Sequence, residues 1–233
     1  MAISGDLKTK INGYQPSEQA KQLVSQTSIL LIAGPTGSGK SAVVEELLKS
    51  EDFTHIVSHT TRAPREGEID GQAYHFISQS DLSDMLDKHM FVEVEVIYDE
   101  YASGTSIEEL QRIKNSGKTG VTAIEISGVK TYRALNAKTK NVFLLPPTYE
   151  AWVERLSQRG EGQDATRKML TEAQTWIEEA IKSGYFRFMV NQELSKTVSA
   201  VREYADGSAD TDDEGATEQA WNLLGELKRQ LNS

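Results

Sequence analysis

Apolar positions along this chain recur with two periods, one suited to buried strands and one to helices. Ser28-Ile29-Leu30-Leu31-Ile32-Ala33 is a continuous apolar run, the pattern of a parallel strand buried on both faces. After a glycine-rich turn, Val43, Val44, Leu47 and Leu48 return at helical spacing, so the fold opens as strand, loop and helix. Strands are predicted over His55–Ser58 and, beyond turns at Gly67 and Gly71, over Tyr74–Ile77. A helix is predicted over Ser80–His89 with Ser80 as its cap, then a strand over Phe91–Ile97, a helix over Ser106–Ser116 and a strand over Gly120–Ile126. Asn141–Leu145 reads as a buried strand stopped by Pro146-Pro147. Helices over Tyr149–Ser157 and Thr166–Ser183 flank a polar break at Gly160–Asp164, and a strand at Phe186–Val190 precedes a helix over Leu194–Tyr204. This alternation predicts an α/β fold, a three-layer, doubly wound and mostly parallel sheet.

The ends read differently. Residues 1–27 are polar and are expected to be an extension, with one short helix over Ser17–Val24 announced by Pro16-Ser17. Ala205–Ala216 combines Gly, Ser and acidic residues without an apolar face and is expected to be an acidic, disordered linker. In the segment 217–233, Trp221, Leu224, Leu227 and Leu231 form one helical stripe, expected to dock on its own domain, with a partner or dimer contact as the alternative; monomer and homodimer both stay open.

A chain of 233 residues, 38% hydrophobic, can bury one substantial core. No run approaches the roughly 20 apolar residues that cross a bilayer. Met1–Tyr14 lacks the pattern of a secretory signal and the chain has no cysteine, so a cytoplasmic location is expected. A net charge of −10 argues against nucleic-acid polymers and anionic membranes as partners. A polyanionic ligand must therefore meet a local basic cluster, and Arg62/Arg65 and Arg155/Arg159 are the candidates.

Gly34-Pro35-Thr36-Gly37-Ser38-Gly39-Lys40-Ser41 matches the phosphate-binding loop pattern in its proper setting, between a buried strand and an amphipathic helix. Glycines let backbone N–H groups converge on a phosphate, the helix N-terminus adds positive potential, and Lys40 bridges donor phosphates. Ser41 is expected to hold Mg²⁺, with ATP as the phosphoryl donor. Further on, Arg62 and Arg65 near the Tyr74 hydroxyl supply the forked, charge-assisted bonds that a phosphate monoester needs.

The stretch from Ser58 to Phe76 matches S-x-T-T-R-x-x-R-x-G-E-x-x-G-x-x-Y-x-F at every fixed position, and here the chain closely resembles the guanylate kinase family. The resemblance runs from about Ile29 to Tyr204. It implies a domain over 28–204 with a β-rich acceptor insertion near 58–105 and a short lid near 159–168. It also implies ATP-dependent phosphorylation of GMP, or dGMP, without a covalent intermediate. Arg62, Arg65 and Tyr74 would hold the acceptor phosphate, with Glu68 beside them in the signature, and Ser58 would contact guanine O6. Glu93 would read guanine, because a carboxylate accepts from N1–H and N2–H₂ together while adenine offers an acceptor at N1. Thr105 supplies a hydroxyl, and Lys40, Arg62, Arg155 and Arg159 would be the catalytic cations.

Several positions depart from the family pattern. The acceptor tyrosine is either displaced to Tyr101 or lost to Ser103, and Asp99-Glu100 replace Gly-Asn. The acidic pair ending the next strand keeps only Glu125, which is left to reach either the guanine amine or the metal shell, and the arginine early in the helix after the lid becomes Met169. A weakened enzyme is therefore expected as readily as a fast one. Two other readings stand beside it: a phosphoprotein-binding module using the same pocket, and a kinase for a different small phosphorylated acceptor.

Overall fold

The computed structural model describes residues 2–97, 99–136, 138–158, 162–208 and 214–231. In chain order the elements are α1 (Gly5–Asn12), α2 (Glu18–Gln26), β1 (Ile29–Ala33), α3 (Lys40–Leu47), β2 (Phe53–His55), β3 (Ser58–Thr60), β4 (Tyr74–Phe76), α4 (Gln79–Asp87), β5 (Phe91–Ile97) and β6 (Tyr101–Ser106). They continue as α5 (Ile107–Ser116), β7 (Thr119–Ala123), α6 (Ile126–Leu135), β8 (Lys140–Leu145), α7 (Tyr149–Gln158), α8 (Gln163–Ser183), β9 (Arg187–Val190), α9 (Leu194–Asp206) and α10 (Glu214–Leu231).

The strands of the principal sheet follow the order β2-β7-β1-β8-β9. Its pairings β2–β7, β1–β8 and β8–β9 are all parallel. A mixed α/β architecture with a parallel central sheet is thus the observed fold class. The chain divides into two compact units: residues 1–29, 51–122 and 127–139 form the first, and residues 30–50, 123–126 and 140–233 form the second.

In the second unit Leu30–Ala33 of β1 and Val142–Leu145 of β8 are fully enclosed, as strands covered on both faces must be. Trp152 of α7 and Ile177 of α8 are also buried in this unit. Helix α10 packs on α8 and on β9. It buries Ala216, Ala220, Leu223, Leu224 and Leu227, so Leu224 and Leu227 of the expected stripe face the unit while Trp221 is 55% exposed. Part of the expected linker is helical as well: α9 runs through Asp206 to a left-handed Gly207, and α10 begins at Glu214. Residues 209–213 lie outside the described residues.

The first unit carries the parallel pair β2–β7 and a second sheet in the order β4-β3-β6-β5. In that sheet β3–β4 is parallel, while β3–β6 and β5–β6 are antiparallel. The single strand expected over His55–Ser58 is split between the two sheets. Glu109 of α5 is the reason, because its buried carboxylate accepts the Val57 N–H at 2.7 Å just where the chain leaves one sheet for the other. The cap of helix α4 lies two residues earlier than expected, at Ser78, in a reciprocal box with Asp81.

Two helices were absent from the periodicity reading. In α6, Ile126, Val129 and Tyr132 are buried three residues apart, and the predicted strand over Gly120–Ile126 ends at Ala123. In α1, capped by Ser4, Leu7 and Ile11 are buried together with Ile3 against Leu82, Leu86, Phe91 and Ala102. Residues 2–27 are therefore packed into the first unit.

Candidate active site

The donor loop lies in the second unit, between β1 and α3. Gly34, Gly37 and Gly39 adopt φ of 142°, 84° and 97°, which side-chain-bearing residues rarely adopt. A Cβ on Gly34 would stand 2.3 Å from the Leu144 carbonyl oxygen, and one on Gly39 would stand 2.2 Å from Asn191 Nδ2. The loop is clamped from outside. Asn191 Nδ2 donates to the Ser38 carbonyl at 2.9 Å, and buried Trp152 donates through Nε1 to the Thr36 carbonyl at 2.7 Å. Arg155 of α7 donates to the Asn191 carbonyl at 3.0 Å, so the arginine and the clamp are linked.

Within the loop, Lys40 Nζ donates to the carbonyls of Gly34 at 2.6 Å and Pro35 at 3.2 Å. Ser38 is fully buried and its Oγ has no hydrogen-bond partner among the described residues, whereas Ser41 is exposed in the first turn of α3. Glu125 belongs to this unit; burial pushes its carboxyl up, partly offset by the positive charge of Lys40. Arg167 is committed elsewhere, donating to the Leu231 carbonyl at the end of α10, and Met169 is half-buried. Arg159 lies outside the described residues.

Most residues expected at the acceptor site lie on one face of the second sheet. Strand alternation and the register Ser58↔Tyr74, Thr60↔Phe76, Thr60↔Ser103 and Glu93↔Thr105 place all of these, with Tyr101, on the same side. Arg62 lies over that face, its guanidinium carbon 4.8 Å from the Tyr74 ring centre and 5.5 Å from that of Phe76. Its two terminal nitrogens donate in parallel to the two oxygens of Glu68, each at 2.6 Å. Glu68 also accepts the Arg65 N–H at 2.7 Å, while the Arg65 side chain is exposed. The Arg62 bonds, with those of Arg65 beside them, hold the Glu68 carboxyl down at about 2.

The paired threonines of the signature hold the sheet together: Thr60 Oγ1 donates to the Ala102 carbonyl, and Thr61 Oγ1 accepts the Ala102 N–H. Tyr101 shares a face with Ser103 and adds to the electrostatic environment of Arg62. The acidic departure is engaged too, since Asp99 pairs with Lys8 at 2.9 Å.

Glu93 is the buried carboxylate of this face, 4% exposed. Its Oε1 accepts both the N–H of Thr105, at 2.8 Å, and its Oγ1–H, at 2.7 Å. Burial pushes the carboxyl up to about 7 even though both Thr105 bonds act the other way. Tyr132 is enclosed beside it, its phenol raised by burial and by the Glu93 charge.

The structure thus brings Ser58, Arg62, Glu68, Tyr74, Glu93, Tyr101 and Thr105 together in the first unit, and Gly34 to Ser41, Glu125 and Arg155 in the second. Asn191 and Trp152 were not anticipated. Asn191 had one signal in the sequence: it directly follows a predicted parallel strand, at the carboxyl end where α/β sheets bind ligands.

Comparison with known proteins gives a consistent result. A family model described as Guanylate kinase matches residues 26–207. Guanylate kinase 1 of Oryza sativa subsp. japonica is 31% identical over 192 residues, covering 80% of this chain and 50% of the rice protein, so the chain spans half the length of that relative. Guanylate kinase of Schizosaccharomyces pombe is 35% identical over 185 residues, covering 77% of this chain and 91% of the yeast protein. Among solved structures, the crystal structure of guanylate kinase from Anaplasma phagocytophilum matches with a TM-score of 0.59 at 19% identity, covering 79% of this chain and 87% of that one, a likeness of fold.

Proposed function

The chain belongs to the guanylate kinase family, and from that premise we propose that it transfers the γ-phosphoryl group of ATP to GMP, giving ADP and GDP. The observation that carries the acceptor assignment is Glu93, a buried carboxylate with one oxygen fixed by Thr105. Its Oε2 has no hydrogen-bond partner among the described residues. That free edge accepts from guanine N1–H and N2–H₂; adenine would leave a buried carboxylate facing an acceptor.

On the same face Arg62, Tyr74 and Tyr101 take the acceptor phosphate, joined by Arg65 from the adjoining loop, and Ser58 and Thr105 contribute hydroxyls. Glu68 acts through Arg62, holding its planar fork on the Tyr74 and Phe76 rings before the phosphate arrives. On the donor side the glycine cradle binds the ATP phosphates, and Lys40 exchanges its carbonyl contacts for phosphate oxygens. Glu125 lies within the electrostatic reach of Lys40 and belongs with the donor phosphates.

The loop fits a nucleotide-bound Mg²⁺, because it leaves a buried Ser38 Oγ without a partner and presents the Ser41 hydroxyl in the first helical turn. Ser41 would hold the ion, which when bound neutralises charge on the donor phosphates. A GMP phosphate oxygen attacks the γ-phosphorus in line, the bond to the β-bridging oxygen breaks, and ADP leaves. Arg155 and Arg159 stabilise the charge on the moving group and keep water out. The retained Lys40 loop favours turnover over a phosphoprotein-binding module. A cytoplasmic setting belongs to the same proposal.

The test is ADP release from ATP and Mg²⁺ against a panel of nucleoside monophosphates, with Lys40→Ala as control. Turnover with GMP, absent with AMP and lost in the control, is expected. A folded, ATP-binding protein without GMP-dependent turnover would overturn the assignment.

A further inference from the structure

We infer that Tyr14 is a positioning residue for Glu93, its hydroxyl holding the β5 bulge that turns this carboxylate to the ligand face. The inference rests on the proposed role of Glu93 and adds a part of the chain that lies before the family match at residue 26.

The bulge can be read from the register. Phe91 pairs with Ser106 but Glu93 pairs with Thr105, so two steps along β5 oppose one step along β6 and Val92 is the extra residue. In a regular strand Phe91 and Glu93 would share a face. The inserted residue separates them: Phe91 joins the apolar cluster with Ile3, Leu7, Ile11, Leu82 and Leu86, while Glu93 faces Thr105 on the opposite side. Without the bulge, either Glu93 would enter the apolar cluster or Phe91 would cover the acceptor face.

β5 is also the edge strand of its sheet, and the ladder is interrupted at this residue. The Tyr14 hydroxyl engages both backbone groups of Phe91, donating to its carbonyl at 2.7 Å and accepting its N–H at 3.0 Å. One side-chain group thus replaces the pairing a neighbouring strand would provide, and the Tyr14 ring meets the Phe91 ring edge-on at 6.4 Å. Burial holds the phenol above its ordinary range, so it remains protonated and able to donate.

The segment leading to Tyr14 is fastened at several points to the same part of the unit. Ile3 N–H donates to the Glu100 carbonyl, Lys8 pairs with Asp99, and Lys10 reaches Ser83 and Asp87 of α4. Asp99 and Glu100, which replace Gly-Asn of the family pattern, are therefore contacts for α1. The altered hairpin and the added helix form one device, and Tyr14 is the member that reaches the strand carrying Glu93.

The test is Tyr14→Phe in the full chain, which keeps the ring and removes only the hydroxyl. KM for GMP is expected to rise about five- to tenfold, the scale of one lost hydrogen bond, with kcat and KM for ATP within about twofold of the parent. Amide exchange at Thr105, whose N–H is held by Glu93, is expected to quicken. An unchanged KM for GMP would overturn the inference. So would kcat and both KM values worsening together with a fall in Tm, the mark of a merely structural role. If the parent protein itself does not turn over GMP, the acceptor assignment is what fails, and exchange at Thr105 then decides alone: faster in Tyr14→Phe upholds the brace, unchanged removes it.

Discussion

Replacing Glu93 by glutamine should move stability and activity in opposite directions. In the free protein the carboxyl is 4% exposed and burial raises it from 4.5 to about 7. Raising a carboxyl by one pH unit costs its ionised form about 1.4 kcal/mol, so ionising Glu93 costs on the order of 3 kcal/mol of folding stability. Because the folded value is the higher one, its contribution is fully present below pH 4.5 and is lost as pH rises through about 7. Glu93→Gln abolishes that slope and should leave the variant more stable than the parent at pH 8, by up to about 3 kcal/mol. Towards GMP the change is adverse. Two charge-assisted hydrogen bonds, each worth about 1.5–3 kcal/mol, give way to one neutral bond and one facing pair of donors. A net loss of about 3–4 kcal/mol lowers kcat/KM for GMP by roughly 10²- to 10³-fold. KM for ATP should stay put. The assays are urea unfolding at pH 4.5, 6 and 8 and initial rates of ADP release at pH 8. In the parent, KM for GMP should also rise as pH falls through about 7, as the carboxylate becomes protonated. A variant with GMP kinetics within about threefold of the parent, or one less stable at pH 8, would refute the reasoning.

Gly39→Ala forces a Cβ to within 2.2 Å of Asn191 Nδ2 at a φ of 97°, so ATP binding measured by calorimetry should be lost; unchanged affinity would contradict the role given to the cradle. Arg62→Lys exchanges a planar fork for a point charge and should lower kcat/KM for GMP about 100-fold. The same variant should return the Glu68 carboxyl, now held at about 2, towards 4.5. Its pairing with Arg62 adds stability above pH 4.5 that is lost as pH falls towards 2, so NMR titration of Glu68 reads the change directly. Leu227→Ala, at a fully buried position of α10, should cost about 2–5 kcal/mol in chemical denaturation. Trp221→Ala, 55% exposed, should change stability by no more than about 0.5 kcal/mol.

The phosphate-loop motif was legible in the sequence because it is local: its glycines, Lys40 and Ser41 fall within one turn between a strand and a helix. The acceptor face was legible only as far as its signature. Arg62, Tyr74 and Glu93 could be named from the resemblance, but the pairing of Arg62 with Glu68 and the two-point hold of Thr105 on Glu93 depend on strand register, which periodicity does not give. The missed helices have physical reasons. Helix α6 opens with β-branched residues around Ser127-Gly128, which disguise its three-residue burial rhythm, and α1 has only Leu7 and Ile11 among polar neighbours, with Ile3 just ahead of its cap. Trp221 lies on the apolar stripe of the sequence yet is exposed, because the small Ala216 and Ala220 permit the close approach that buries α10.

Following the label from γ-³²P ATP in the presence of GMP tests the central claim most directly. Radioactivity appearing in GDP, one for each ADP formed and absent with Lys40→Ala, is the predicted result. Label appearing only in inorganic phosphate, or never in GDP while ATP is bound, would contradict it.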